Sequence, residues 1–150
     1  MIIKEEKRDL FTVDENEYYY VQCISADYAM GAGIAVEFNK RFDIKNIMRE
    51  KPDNVITSPN NTCLLVNDKV FNLVTKNKYF GKPTYDSLKK ALMSMKILML
   101  NNPDKIKTNK VAMPRIGCGL DKLDWDKVKP IIEEVFGDTN IEILVCNLDK

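Results

Sequence analysis

The segment Tyr18-Tyr19-Tyr20-Val21-Gln22-Cys23-Ile24-Ser25-Ala26-Asp27-Tyr28-Ala29-Met30-Gly31-Ala32-Gly33-Ile34-Ala35-Val36-Glu37-Phe38 reads as one strand–turn–helix unit. Residues 18–24 are aromatic and β-branched, which suits a strand; Met30-Gly31-Ala32-Gly33 supplies the turn, and Ile34-Ala35-Val36-Glu37-Phe38 opens a helix. The unit recurs twice. The apolar run at 70–75 leads through Lys76-Asn77-Lys78-Tyr79-Phe80-Gly81-Lys82-Pro83 to a helix that Thr84 caps, with Asp86 in its first turn and Leu88, Leu92, Met95 and Met99 on one face. A strand at 110–113 leads through Pro114-Arg115-Ile116-Gly117-Cys118-Gly119-Leu120-Asp121 to a helix that Asp124 caps; it carries Val128, Ile131, Ile132 and Val135 to Phe136 and ends at Gly137. This alternation predicts an α/β fold with a mixed, largely parallel sheet covered by helices on both faces. If the three strands are parallel neighbours, their loops meet at one edge, where open α/β sheets bind ligands.

Outward from these units, residues 2–7 form an N-terminal strand leading into Asp9-Leu10-Phe11, and Asp43 caps a short helix through Glu50. Strands at 62–66 and 70–75 form a hairpin across Asn67-Asp68-Lys69, and a last strand occupies 141–146. No repeat or linker-like break interrupts the 150 residues, so a single domain spanning 1–150 is expected. The chain has no His, which excludes Ser/His/Asp and Cys/His nucleophile pairs, His-based zinc or haem sites and an imidazole base. A net charge of +1, with 19 Lys to 4 Arg, argues against a DNA reader or a basic membrane binder. Cys23, Cys63, Cys118 and Cys146 have no C-x-x-C spacing and read as reduced thiols, not a disulfide frame or a metal site. With no leader and no apolar run of about 18 residues, the expected location is cytoplasmic, or nuclear in a eukaryote, and a monomer is the default.

Two of the loops pair glycines with a helix start. Glycine permits close backbone approach, and helix N-terminal N–H groups carry partial positive charge, so such loops cradle phosphate without Arg or Lys. Two of them across one crevice suit a diphosphate. The alternative is that the glycines only make tight strand-to-helix turns, and neither loop is a P-loop because no G-K-[ST] follows. Lys82 is the candidate amine: as a nucleophile it needs a partly desolvated site, and otherwise it is a solvated loop lysine. Asp121 is the candidate carboxylate, since Asp124 already serves as the helix cap. Cys118 sits between two glycines, and without His to form its thiolate it reads as loop filler.

The combination Cys23-Ile24-Ser25-Ala26-Asp27, Met30-Gly31-Ala32-Gly33-Ile34-Ala35-Val36-Glu37-Phe38, Lys82-Pro83-Thr84-Tyr85 and Met113-Pro114-Arg115-Ile116-Gly117-Cys118-Gly119-Leu120-Asp121 resembles a macrodomain, in the branch of terminal ADP-ribose protein glycohydrolase. The resemblance runs from about Asp9 to Leu148. It implies a three-layer α/β/α sandwich holding ADP-ribose across the strand ends. Asp9, Leu10 and Leu148 would enclose adenine; Ser25 with Gly31, Ala32 and Gly33 would line the distal ribose and diphosphate; Arg115, Ile116, Gly117, Cys118, Gly119 and Leu120 would wrap the diphosphate. Arg8 departs from the Gly usual before that Asp. Lys82 matches the family's nucleophile and Asp121 its acid/base residue. The implied reaction cleaves the ester between ADP-ribose and a Glu or Asp side chain through a lysyl-ADP-ribose adduct, with no metal or cofactor. O-acetyl-ADP-ribose and ADP-ribosylated nucleobases are related substrates; a silent reader and an ADP-ribose 1″-phosphate phosphatase are the competing readings. The implied partner is ADP-ribosylated protein, with ADP-ribosylated nucleic acid the other substrate.

Overall fold

The computed structural model describes residues 1–148. Among them, seven strands form one sheet: β1 (Ile2–Lys7), β2 (Tyr19–Ser25), β3 (Val55–Thr57), β4 (Cys63–Val66), β5 (Val70–Lys76), β6 (Lys110–Met113) and β7 (Glu142–Asn147), ordered β1-β7-β6-β2-β5-β4-β3. The first five in that order are mutually parallel; β4 pairs antiparallel with β5, and β3 pairs antiparallel with β4. The expected neighbourhood is therefore present: β6, β2 and β5 lie side by side and end at the same edge.

The period-two alternation of β2 distributes its side chains between two cores. Tyr19 and Val21 join Leu88, Leu92 and Met95 of α3 (Tyr85–Asn101) and Val128 and Ile132 of α4 (Trp125–Phe136). Tyr20 and Ile24 join Phe38 of α1 (Ile34–Phe42) with Ile44 and Ile47 of α2 (Ile44–Glu50). Helices thus cover both faces. Each α3 and α4 start is capped as its sequence predicts, and the Thr84 cap is reciprocal: its hydroxyl accepts the Ser87 N–H at 2.9 Å while Ser87 Oγ accepts the Thr84 N–H at 2.9 Å.

Several local expectations need correction. Asp43 precedes α2 but makes no side-chain cap. Its backbone is left-handed, at φ 53°, and it closes α1 by donating its N–H to Asn39 O, while its carboxylate accepts from Asn46 Nδ2. The short strand β3 went unread because its three residues carry no alternation long enough to register; it forms by pairing with β4. Gly137 ends α4 in a right-handed conformation, not the left-handed one that glycine usually supplies. Lys76 belongs to β5 and not to the loop after it, and β7 runs one residue later than read. Asn67 and Asp68 both have positive φ, as a tight hairpin turn requires.

One polar pair lies in the centre of the sheet. Gln22 and Asn72 are register partners on β2 and β5, both fully buried, and Gln22 Nε2 donates to Asn72 Oδ1 at 2.8 Å. Asn72 Nδ2 in turn donates to the carbonyls of Leu64 and Val70. Removing one partner strands buried polar atoms. Asn72→Ala is expected to lower the unfolding free energy by about 2 kcal/mol, read as an earlier urea midpoint with an unchanged slope.

Candidate active site

Three loops leave the carboxyl ends of β2, β5 and β6 and surround a cleft of about 1200 Å³. Of the residues expected there, Ser25, Gly31, Ala32, Gly33, Lys82, Arg115, Ile116, Gly117, Cys118, Gly119, Leu120 and Asp121 all line it. Asp9, Leu10 and Leu148 do not. They sit beside its Asn147 corner, where Arg8 N–H donates to Asn147 O. Leu10 is buried and its carbonyl accepts from Tyr20 Oη, while the Asp9 carboxylate caps the short turn Leu10–Thr12 by accepting the Phe11 N–H. Arg8 spans that turn as well, donating from Nε to Thr12 Oγ1 at 3.0 Å.

The three loops meet at Leu120. Lys82 Nζ donates to Leu120 O at 3.2 Å, and a Cβ built on Gly33 would come within 3.0 Å of Leu120 Cδ1. Gly33 has φ 63° and ψ −150°, a region essentially reserved for glycine, so both its backbone and its lack of side chain are required there. The helix it starts, α1, has no side-chain cap; Val36 N–H turns back to Gly33 O, and Gly33, Ile34 and Ala35 at this start line the cleft, a position that suits an anion. At Gly119 a Cβ would meet no atom within 4 Å, so this backbone stands open to close approach. The second expected helix terminus does not serve in the same way, because the Asp124 side chain already accepts the Asp126 N–H at the start of α4. On that side the loop backbone is the available donor surface.

Side-chain electrostatics refine the assignments. Asp121 pairs with Lys76, Oδ1 to Nζ 2.7 Å, with both side chains largely buried at 17% and 16% exposure. Lys76 was not among the sequence candidates; the signal available was its place as the last residue of β5, on the same edge as the loops. Lys82 is exposed, so the protein alone does not supply the desolvated site that a nucleophilic lysine requires. Arg115 is not a free phosphate clamp: its guanidinium reaches Glu5 at 3.8 Å and lies 5.8 Å from the Trp125 ring centroid. Burial pushes the Cys118 thiol up to about 11, and Sγ donates to Ile116 O, which fits filler and not a thiolate nucleophile.

Asp27 joins two of the loops. Its Oδ1 accepts from Ser25 Oγ and from the Ala29 N–H, and its Oδ2 accepts the Tyr79 N–H at 2.9 Å. The Ser25 hydrogen bond, followed by that from Tyr79, holds its carboxyl below the usual 3.8. A depressed carboxyl favours the clamped loops at every pH above 3.8, and the clamp is lost as pH falls through the lower folded value. The protection factor at the Tyr79 amide, taken against the intrinsic exchange rate at each pH, is therefore expected to be retained at pH 5 and to fall only on acidification below 3.8, and Asp27→Ala should remove it at pH 5.

No family model matches the chain. Among curated proteins, it is 40% identical over 145 residues to bovine (Bos taurus) ADP-ribose glycohydrolase OARD1, an alignment that covers 95% of this chain and 89% of the relative. Among solved structures, the macrodomain of Thermus aquaticus DarG superposes with a TM-score of 0.70 at 19% identity, covering 97% of this chain and 98% of that one. DarTG of Thermosipho africanus in complex with ADP-ribose superposes at 0.69 with 18% identity, over 97% of this chain and 41% of that one. The structural matches establish the fold and the sequence match the family: this chain belongs to the OARD1-type ADP-ribose glycohydrolases, on a macrodomain fold.

Proposed function

We propose that this protein is an ADP-ribose glycohydrolase that frees Glu and Asp side chains of proteins from mono-ADP-ribose, acting as a monomer and without a metal or cofactor. The observation that carries the reading is the convergence at Leu120, where an amine, an uncapped helix start and an open glycine backbone adjoin one cleft. The diphosphate would lie along the α1 N-terminus and the 115–120 backbone, whose N–H groups stabilise its charge without an arginine fork. Adenine would lie toward the Asn147 corner, with Asp9, Leu10 and Leu148 at its edge.

In the chemical step, the lone pair of neutral Lys82 Nζ forms a bond to the anomeric carbon, and the ester oxygen leaves with its bonding electrons as a Glu or Asp carboxylate. Asp121 then accepts a proton from water as that water attacks the same carbon, and the C–N bond breaks with its electron pair staying on the lysine nitrogen, which returns as the neutral amine. Lys76 orients the Asp121 carboxylate between turnovers through their 2.7 Å contact. The same contact favours the competing reading of a silent reader, because it keeps the carboxylate occupied.

Lys82→Ala is expected to abolish release of ADP-ribose from a glutamate-modified protein while free ADP-ribose still binds in a calorimetric titration; full activity in this variant would overturn the covalent step. Asp121→Ala is expected to slow turnover by about 10²–10⁴-fold and to accumulate a mass increment on Lys82 after incubation with substrate.

A further inference from the structure

Packing rules are broken most plainly at residues 78–81. Gly81 N–H donates to Lys78 O at 2.9 Å, closing a turn with Tyr79 and Phe80 at its centre. Turn centres favour Gly, Pro, Asn, Asp and Ser. Here they hold two large aromatics that are 66% and 73% exposed, set edge to face with centroids 5.3 Å apart. Their position is defined, because Asp27 grips the Tyr79 N–H, and both line the cleft beside Lys82. Exposed aromatic surface rimming a reactive cleft is costly in water unless something covers it. Lys78, within the turn, is exposed and forms no salt bridge among the described residues, though its charge acts on the Asp27 carboxylate.

We propose that the Tyr79–Phe80 turn docks the polypeptide that flanks the modified acidic side chain, and that this flank is acidic with interspersed apolar residues. The inference rests on the ester-hydrolase reading for its substrate. Continuity with the cleft places the turn where the chain beyond the ester must emerge. Apolar side chains of that chain pack on the two rings, and its carboxylates meet Lys78. A single-stranded nucleic acid fits this rim less well. Successive bases stack on parallel ring faces, whereas these planes stand at 85°, and the chain has only 4 Arg.

The test uses the Lys82→Ala protein, so that binding is read without turnover. Its affinity for an acidic peptide carrying glutamate-linked ADP-ribose is compared with its affinity for free ADP-ribose, with and without the added pair Tyr79→Ala and Phe80→Ala. Loss of the rings is expected to weaken the modified peptide by about tenfold and to leave free ADP-ribose unchanged, which also reports that the variant is folded. Tyr79→Phe, which keeps the ring, should retain peptide affinity. Equal weakening of both ligands would overturn the proposal, as would an unchanged peptide affinity or a loss confined to an ADP-ribosylated oligonucleotide. Failure of the hydrolase reading shows separately, as wild-type protein that binds the modified peptide and never cleaves it.

Discussion

Parallel pairing of β2 with β5 on one side and β6 on the other is the constraint on which the site depends. Parallel strands cannot be joined by tight turns, so the chain must return by a crossover each time. The crossover helices α3 and α4 bury one face of the sheet, and α1 and α2 the other. Because the strands run the same way, β2 and β5 end in register at Ser25 and Lys76 and the shorter β6 ends at Met113 toward the same edge, so the loops that follow face one another. The buried Gln22–Asn72 hydrogen bond sits in the middle of this pairing and ties its register to a specific polar contact.

Near-neutral net charge hides a local asymmetry at the cleft. Three carboxylates lie in or beside it, and each is engaged: Asp27 by Ser25, Ala29 and Tyr79, Asp121 by Lys76, and Asp124 by the start of α4. Negative charge that would repel an anion is thereby satisfied within the protein, while Lys82, which lines the cleft, forms no salt bridge among the described residues. The cleft can favour an anion although the whole chain carries only +1. In the proposed binding mode the diphosphate is left to backbone donors, which would let the fold manage with so little arginine.

Much of the fold was legible because its helices carry local signals. Thr84 and Asp124 cap α3 and α4 by contacts a few residues away, and the apolar period of each helix matches the core it enters. Elements whose existence depends on a distant partner were less legible. β3 forms because β4 is there to pair with it, and Asp43 gives up a cap because the junction of α1 and α2 needs a left-handed residue. At the site, the glycine loops and Lys82 could be picked out as strand-end features. Asp27 could not, and Lys76 showed only as the end of its strand, because what gives each its role is a contact made with another loop.

The sequence by itself determined the strand–loop–helix units, the glycines that let backbone approach a ligand, and the exclusion of imidazole chemistry, since these are properties of residue type and short-range spacing. Only the tertiary structure decided which charges face one another. Asp121 meets Lys76 across 45 positions of chain, Lys82 meets the Leu120 carbonyl across 38, and Tyr79 meets Asp27 across 52. Such contacts arise when parallel strands bring separate loops to one edge, and no local pattern encodes them.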